Sequence, residues 1–364
     1  MKKILLLSDA HYNNRSNGPM NTLRGFLEYI PEDYLITAVI SDDDVLDIDV
    51  NTNAVVIKRK LTVNMFRKTF LSTSFSLYKV DKTIENIIMQ WSDKDPILLW
   101  TSTLNVYSYL FKNKRVYMNL TDLPTIAMRQ YIRETSNVFK KAYYLKELLY
   151  GKYYEKIIPL VYEGIILVNN KETDIANRNN NTDKYLCVPV VYKRANEIKK
   201  AKASADSSIN LVFVGNMSFT PNEDGLNLFY NSIFKNLGSN YRLHLIGKGT
   251  EKLFAGDLRV KQYGFVDDMA SIISKMDFGI CFMKNGGGMK NKIFDYMKYG
   301  IPCIINNHVN EYNTVDSDYI YVANDVQDFI KASSIKGLNP VEIKRSIERY
   351  EVSNVARDFW KLFD

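Results

Sequence analysis

The sequence predicts an α/β protein of two doubly wound domains, each a parallel sheet with helices on both faces. Three observations lead to this prediction. The 364 residues correspond to two domains of about 150 residues. Short apolar runs of strand length alternate with longer amphipathic stretches along the chain. Between residues 193 and 208, bulky apolar residues become rare, as in an exposed linker.

The first domain, residues 1–192, is predicted from seven apolar runs that would form buried strands. In chain order these runs are Ile4–Ser8, Tyr34–Ile40, Ala54–Ile57, Ile97–Trp100, Arg115–Leu120, Gly164–Val168 and Tyr185–Val188. The beginning of the chain resembles a secretion signal, but Asp9 ends its apolar stretch too early for one. We therefore interpret this stretch as the first strand of the sheet.

The second domain, residues 209–351, follows the linker at 193–208 and contains six further runs. These are Asn210–Val214, Arg242–Ile246, Val260–Tyr263, Phe278–Phe282, Pro302–Ile305 and Tyr319–Val322. Residues 352–364 are predicted to form a terminal helix. Ligands of open α/β sheets usually bind at the carboxyl ends of the strands, so residues that follow strands are the first candidates for a site.

Composition excludes several classes of protein. Three cysteines, Cys187, Cys281 and Cys303, are too few and too widely spaced for a disulfide framework or a zinc cluster, and they favour a reducing compartment. No stretch reaches the roughly 18 apolar residues of a membrane-spanning helix. The net charge of +7 comes entirely from residues 1–200, which hold 29 basic and 22 acidic residues, against 19 of each in residues 201–364.

The most informative motif follows the strand Phe278–Phe282. A glycine-rich loop, Gly286-Gly287-Gly288, leads into an amphipathic segment that starts at Met289 and ends before Gly300 and Pro302. Such a loop lets a ligand approach the backbone, and a helix start offers N–H donors to phosphate. Lys290 and Lys292 add positive charge, and Asp295 could accept hydrogen bonds from a ribose diol. The motif predicts a nucleotide diphosphate site; an ordinary surface turn before a solvated helix is the alternative.

The second half also resembles the retaining glycosyltransferases of group 1, family 4. Beside the glycine loop and Gly300-Ile301-Pro302, four stretches carry this resemblance: residues 211–218 with Pro221-Asn222, residues 243–249, residues 260–267 and the terminal helix from Ser353. The resemblance implies the GT-B fold, in which two Rossmann-like domains face each other across a cleft and the C-terminal helix returns toward the N-terminal domain.

The resemblance also implies roles for single residues. Asp295 stands where the second glutamate of the family's pair binds the donor ribose, whereas the first glutamate is replaced by Gly287. Asn216 and Asn222 occupy the region where an Arg and a Lys often hold the diphosphate, so that charge is assigned to Lys292, with Lys290 second. The remaining residues assigned to the donor site are Gly288, Asn291, Gly215, Asn216 and, beside the base, Phe265 and Val266.

Three residues of the first domain are candidates for the acceptor side. Gly18 resembles the glycine of the family's first loop, and a simple helix-start glycine is the alternative. His11 follows the first strand and is a candidate base, although a lone loop histidine is more often a bystander. Asp122 follows the fifth strand, where relatives carry an acidic residue; capping of the helix that begins at Pro124 is its alternative role.

No metal or other cofactor is expected. Two acidic triplets, Asp47-Ile48-Asp49 and Asp316-Ser317-Asp318, match the short pattern that metal-dependent glycosyltransferases use. Both lie in polar stretches that are better interpreted as solvated loops. The donor is expected to be a UDP- or GDP-sugar.

The basic excess is concentrated in residues 51–160, which hold 18 basic and 8 acidic residues with aromatic residues interleaved. A basic helix with an apolar face is typical of peripheral contact with an anionic membrane, which would carry a lipid-linked acceptor. Core aromatics beneath a solvated lysine face are the alternative. Nucleic acid, the other polyanion, is not expected because no motif for it accompanies the charge.

These observations predict a cytoplasmic, metal-independent, retaining glycosyltransferase, peripheral on the inner face of the cytoplasmic membrane. It would move a sugar from a nucleotide donor to a glycan acceptor in bacterial O-antigen, capsule or other envelope polysaccharide synthesis. Two alternatives stay open. A sugar-nucleotide epimerase shares the architecture, and a non-catalytic glycan-binding or scaffold member would explain Gly287.

Overall fold

The computed structural model describes residues 1–9, 18–41, 54–72, 74–75, 77–195, 208–284 and 290–364. It divides into two compact units. Unit 1 consists of Met1–Val191 together with Val352–Asp364, and unit 2 consists of Tyr192–Glu351. The chain therefore leaves unit 1, forms unit 2, and returns to unit 1 for its last residues.

Unit 1 is built on a parallel sheet of seven strands in the order β3-β2-β1-β4-β5-β6-β7. The strands are β1 (Lys2–Leu7), β2 (Tyr34–Ser41), β3 (Ala54–Arg59), β4 (Ile97–Leu99), β5 (Val116–Thr121), β6 (Gly164–Leu167) and β7 (Tyr185–Cys187). Strands β4, β5 and β6 are almost wholly buried, and β1 is buried from Ile4 to Leu7, as expected for a parallel sheet with both faces covered.

Helices cover both faces of this sheet and form two apolar cores, one on each side. The helices are α1 (Gly18–Glu28), α2 (Met65–Phe70), α3 (Lys82–Gln90), α4 (Pro124–Glu134), α5 (Val138–Val161) and α6 (Asn170–Asn180). A 3₁₀ segment, Ser102–Leu110, follows β4. Alternate residues of β1 belong to opposite cores, Ile4 and Leu6 to one and Leu5 and Leu7 to the other.

Unit 2 is a second parallel sheet, of six strands in the order β10-β9-β8-β11-β12-β13. Its strands are β8 (Ile209–Val214), β9 (Tyr241–Ile246), β10 (Val260–Gly264), β11 (Phe278–Cys281), β12 (Cys303–Ile305) and β13 (Ile320–Val322). Its helices are α7 (Thr220–Ser232), α8 (Met269–Ile273), α9 (Asn291–Met297), α10 (Asn307–Tyr312), α11 (Val326–Ser333) and α12 (Pro340–Ser346).

The last helix, α13 (Val352–Trp360), belongs to unit 1. It packs on α1 and completes one of the two cores of that unit. The ring of Phe359 stacks on the ring of Phe26 with centroids 4.2 Å apart, and the indole N–H of Trp360 donates to the carbonyl oxygen of Phe26 at 3.2 Å.

The α/β fold class is confirmed, and each of the thirteen predicted runs overlaps an observed strand. Where the observed strand ends differ from the predicted ones, they do so by one or two residues. The fifth strand begins at Val116 rather than Arg115, whose guanidinium pairs with Glu163 at 3.3 Å. Helix α9 begins at Asn291 rather than Met289, with Lys290 as its N-cap. The linker at 193–208 lies largely outside the described residues.

Candidate functional site

The candidate site of unit 2 lies at the carboxyl ends of β8 and β11. These strands are neighbours, and the strand order reverses between them, since β9 and β10 continue on one side and β12 and β13 on the other. In open α/β sheets this reversal opens a crevice in which ligands bind. The glycine-rich loop predicted as the donor site follows β11, so the topology brings it beside the loop that follows β8.

Tyr296 of α9 fixes both sides of this crevice. Its fully buried hydroxyl donates to the carbonyl oxygen of Ile280 on β11 at 3.0 Å and accepts from the backbone N–H of Val214 on β8 at 3.0 Å. Gly279 makes room for the ring, because a Cβ there would overlap Tyr296. Sequence reasoning missed this residue, although a glycine within an apolar strand is a usable signal of close packing.

Lys292 lies at the same crevice, on the first turn of α9. Its ammonium donates to Oδ1 of Asn222 on α7 at 2.9 Å and lies 4.2 Å from the centre of the Phe213 ring. Burial lowers the pKa of this ammonium below its ordinary value of 10.5. Among the described residues Lys292 forms no ion pair. The crevice therefore holds a desolvated cation beside a neutral amide, an arrangement that favours an incoming anion.

Asn222 ties this cation to the β8 loop. Its side-chain N–H₂ donates to the carbonyl oxygen of Asn216 at 3.1 Å, and Oδ1 of Asn216 accepts from the N–H of Ser218 at 2.9 Å. The sequence assigned Asn216 and Lys292 to one site, and the structure brings both into contact with Asn222. The position of Lys292 thus depends on the β8 loop.

Asp295 lies one turn after Lys292 and has a partner that the sequence analysis did not consider. Its carboxylate accepts from the ammonium of Lys298 at 2.7 Å, and both side chains are partly buried. The neighbouring carboxylate raises the pKa of Lys298 against the opposing effect of burial. A ribose diol at Asp295 would therefore meet a carboxylate already oriented by Lys298.

Glycines bring the loops after β8, β9 and β10 together. Gly247 follows β9 with φ +127°, and a Cβ there would overlap the carbonyl oxygen of Gly215, so only glycine fits. The N–H of Gly247 donates to Gly264 at 2.7 Å. Beyond Gly264, the Phe265 side chain is 74% exposed and Val266 is half-buried. These two residues border the carboxyl edge of the sheet, where the sequence predicts the base.

Some predicted site residues are not described. His11, Gly287 and Gly288 lie outside the described residues, as does the triplet at Asp47, and their roles stay predictions. Gly18 is described as the first residue of α1, in keeping with its alternative role as a helix-start glycine.

In unit 1, Asp122 follows an unusual turn at the end of β5. Thr121 has φ +68°, which is rare for a β-branched residue, and the N–H of Asp122 donates to the carbonyl oxygen of Leu120 at 2.9 Å. Strained turns of this kind occur preferentially at functional sites. The turn follows the fifth strand of the sheet and sets the position of Asp122 at its carboxyl edge.

The alternative role of Asp122 as a helix cap is wrong. Helix α4 is preceded by Leu123 and has no side-chain N-cap. Two other carboxylates accept N–H groups where the helix begins: Glu172 accepts from Leu123 at 2.5 Å, and Glu155 accepts from Thr125 at 3.0 Å. Burial raises the pKa of Glu155. Because these glutamates come from α6 and α5, nothing in the local sequence indicated them.

A second polar cluster, which the sequence analysis missed, lies at the strand-order reversal of unit 1. The carboxylate of Asp9, after β1, accepts from the hydroxyls of Thr101 and Thr103, after β4; the Thr103 distance is 2.5 Å. The hydroxyl of Tyr78 also forms a hydrogen bond with Asp9. The pKa of Tyr78 is raised mainly by burial and further by the negative charge of this carboxylate. A Thr-Ser-Thr sequence directly after an apolar strand was the available signal.

The second acidic triplet has a structural partner. Asp316 pairs with Arg349 at 3.1 Å, and its N–H donates to the hydroxyl of Tyr350 at 3.1 Å. Within the described part of the chain, no group of three or more His, Cys, Asp or Glu side chains is arranged to hold a metal ion. No described helix is long and apolar enough to cross a membrane.

One protein family matches most of the second half of the chain. Residues 208–334 match the family described as glycosyl transferases group 1. This match covers β8 to α11, and therefore Lys292, Asn222 and Asp295. The resemblance to glycosyltransferases of group 1 is confirmed for these residues. Among curated proteins no match was found.

Solved structures share the fold along the whole chain. Anabaena HepE, in complex with UDP and glucose, has a TM-score of 0.63 at 11% identity over 100% of this chain and 99% of its own. The lipopolysaccharide outer core galactosyltransferase WaaB scores 0.63 at 12% identity, covering 99% and 98%. TarM, from S. aureus, scores 0.65 at 10% identity, covering 100% and 99%. The expected GT-B fold class is confirmed.

Proposed function

We propose that this protein, a glycosyltransferase of the group 1, GT-B type, transfers a sugar from a nucleoside diphosphate to a glycan acceptor with retention of configuration. Unit 2 binds the donor. The observation that carries the proposal is Lys292, a partly desolvated cation without an ion-pair partner among the described residues, at the strand-order reversal of a sheet. The negative charge of a diphosphate would pair with this cation.

The donor is held by complementary groups on α7 and α9. Lys292 and Asn222 would contact the diphosphate, Asp295 the ribose and Phe265 the base. UDP and UDP-glucose are bound in the structures of HepE, which supports a uridine nucleotide; GDP-sugars remain the second class to test. Because Gly287 replaces the first glutamate, backbone N–H groups of the glycine-rich loop would bind the donor sugar in its place.

The transfer itself needs few protein groups. The bond from the anomeric carbon to the diphosphate breaks, a bond to the acceptor oxygen forms on the same face, and the acceptor proton passes to a departing diphosphate oxygen. Lys292 neutralises the charge that develops on the diphosphate. Asp122, behind its strained turn, and His11 are the candidates for orienting the acceptor hydroxyl. We infer no metal for this reaction.

The acceptor is proposed to be a glycan of bacterial envelope polysaccharide synthesis, carried on a lipid at the cytoplasmic face of the membrane. WaaB, which shares the fold, is a lipopolysaccharide outer core galactosyltransferase. The basic excess of residues 51–160 supports an anionic surface as the place where the acceptor is found.

A donor screen tests the proposal. The protein is heated with UDP-, GDP- and dTDP-sugars, and we expect one of them to raise its melting temperature. Lys292→Met keeps the length of the side chain and removes the charge, so affinity for that donor should fall at least about tenfold. Lys275→Met, at an exposed position of unit 2, is the matched control and should bind as the native protein does.

Asp295→Ala should also weaken the donor strongly. Lys298→Met breaks the same ion pair but keeps the carboxylate, so it separates ribose binding from packing of α9. If the two variants lose the same donor affinity, Asp295 acts through the packing of α9 and does not bind the ribose. No shift with any nucleotide sugar would refute the transferase, and binding without turnover on glycan acceptors would favour the non-catalytic alternative.

A further inference from the structure

Helix α2 exposes an apolar surface that its own unit leaves uncovered. None of its six residues is buried. Met65, Phe66 and Phe70 are 63%, 65% and 62% exposed, and the two phenylalanine rings lie 5.2 Å apart. Exposed apolar side chains are common singly, but a cluster of three on one short helix marks a contact surface.

This exposure belongs to a helix held in place. The ammonium of Lys146, on α5, donates to the carbonyl oxygen of Lys68 at 3.3 Å, and the hydroxyl of Tyr150 donates to that of Phe70 at 3.1 Å. These bonds satisfy carbonyls at the end of α2 that would otherwise lack partners. Helix α5 thus anchors α2 through its backbone and leaves the apolar side chains of α2 turned outward.

The outer face of α5 continues the surface. Lys141, Leu145, Leu149, Lys152, Lys156 and Leu160 follow one another at helical spacing, and all six are exposed. Leu149 is 59% and Leu160 81% exposed, and Phe139 near the start of the helix is 88% exposed. Leucines and lysines therefore share one solvent-facing stripe, whereas the solvent face of an ordinary soluble helix carries charged and polar residues.

The two glutamates of α5 are both turned away from this stripe. The carboxylate of Glu147 is buried, accepting from the hydroxyl of Ser72 at 3.0 Å and pairing with Lys146 at 3.0 Å. Glu155 accepts from the N–H and the hydroxyl of Thr125. Helix α2 contains Arg67 and Lys68 and no acidic residue. The exposed charge of both helices is consequently of one sign.

We propose that this α2–α5 surface, formed by Phe66, Phe70, Leu149, Lys141, Lys152 and Lys156, docks on an anionic phospholipid bilayer. The apolar side chains enter the boundary between headgroups and acyl chains, and the lysines bind lipid phosphates. A second protein copy would leave two positively charged faces opposed, which disfavours self-association. Nucleic acid would not gain from the exposed leucines.

A cavity beside this surface fits the same partner. It has a volume of about 310 Å³ and shares Arg67 and Tyr153 with the two helices. Isoleucine and tyrosine side chains line it, together with Asn105, whose side-chain oxygen accepts from the hydroxyl of Tyr162 at 2.6 Å. The amide N–H₂ of Asn105 is a donor suited to the headgroup of one bound lipid.

Vesicle flotation of the full chain tests the surface. We expect binding to vesicles of phosphatidylcholine with phosphatidylglycerol, weakening as salt is added, and little binding to phosphatidylcholine alone. Lys141→Gln with Lys152→Gln and Lys156→Gln should reduce partitioning at least about tenfold. Phe66→Ser with Phe70→Ser should reduce it to a similar degree by removing the inserted rings.

Leu258→Ser with Lys275→Gln, at fully exposed and exposed positions of unit 2, is the matched control and should bind vesicles normally. Absence of binding to phosphatidylglycerol vesicles, or binding that both sets of α2–α5 substitutions leave unchanged, would overturn the inference. So would a dimer in sedimentation velocity that Phe66→Ser with Phe70→Ser dissociates, which would assign the surface to a second copy.

The lipid-linked acceptor rests on the proposed function, but the docking surface is tested without any sugar. Melting temperatures with the nucleotide-sugar donor are measured on the same variants. If the protein binds vesicles but no nucleotide sugar raises its melting temperature, the docking surface is supported and the transferase proposal is refuted. If a nucleotide sugar raises the melting temperature but vesicles are not bound, the transferase proposal is supported and the docking surface is refuted.

Discussion

At the scale of single residues, His244 shows how burial makes a side chain sensitive to pH. It lies on β9 with Nε2 3.2 Å from Oδ1 of Asn210 and Nδ1 2.9 Å from the hydroxyl of Tyr263. A neutral ring that donates through Nε2 and accepts through Nδ1 satisfies both contacts. Burial, followed by the charges of Lys261 and Arg242, lowers the pKa of His244 to about 4.

The stability of unit 2 should therefore fall as pH is lowered from about 6.5 to about 4. In this window the unfolded chain binds a proton at His244 that the folded chain does not, so protonation favours unfolding. The shift from 6.5 to about 4 corresponds to roughly 3 kcal/mol at the lower limit. Urea unfolding of the native protein and of His244→Asn, at pH 7.5 and in acid, measures this difference.

His244→Asn should lose correspondingly less stability between the two pH values. Lys261→Met is the second variant, because removing a nearby cation raises the pKa of His244 and narrows the pH range over which stability is lost. Identical pH profiles in the native protein and in both variants would show that His244 does not carry the effect.

At the scale of elements, α7 is positioned by a glycine in its middle. A Cβ at Gly225 would overlap the carbonyl oxygen of Phe282 and come within 3.2 Å of Cα of Met283. Helix α7 therefore packs directly on the backbone after β11. Asn222, one turn earlier, reaches Lys292 because of this close approach.

Gly225→Ala should destabilise the protein although alanine favours helix. The helical preference is worth about 1 kcal/mol, whereas displacing α7 from a backbone that cannot give way costs about 1–3 kcal/mol. Donor affinity should fall as well, since Asn222 moves with the helix. Chemical denaturation and donor titration measure the two effects.

Gly256→Ala is the control, because no atom lies within 4 Å of the added methyl group and the change should leave stability within about 1 kcal/mol. A Gly225→Ala protein as stable as the native one would contradict the close packing of α7.

The sequence predicted elements better than the contacts between them. Buried parallel strands are short apolar runs, so β1, β8 and β11 could be located directly. The bond from Lys292 to Asn222 joins residues 70 positions apart, and it exists because β8 and β11 are neighbours in the sheet. Strand order is set by packing of the whole unit, so the motif and the resemblance could assign Lys292 to the site but could not indicate its contact with Asn222.

At the scale of the whole molecule, α13 completes the core of unit 1. Phe359 contacts the rings of Phe26, Trp100 and Phe363 and is 2% exposed. Phe359→Ala should therefore destabilise unit 1 by about 3–5 kcal/mol. Hydrogen exchange should accelerate in β1, β2 and β4 while β8 to β13 keep their protection.

Phe329→Ala is the matched variant of unit 2, since Phe329 is fully buried against Phe229 and Tyr241. It should produce the opposite pattern of exchange. If either substitution accelerates exchange equally in both sheets, the two units unfold as one cooperative body.

The return of α13 to unit 1 also sets the order in which the protein can mature during synthesis. Domains generally fold as the ribosome releases them, starting from the N-terminus. One core of unit 1 is incomplete until Phe359 and Trp360 are synthesised, and these residues follow all of unit 2 in the chain. Unit 2 can thus finish folding first, and the apolar face of α1 stays uncovered until α13 is released.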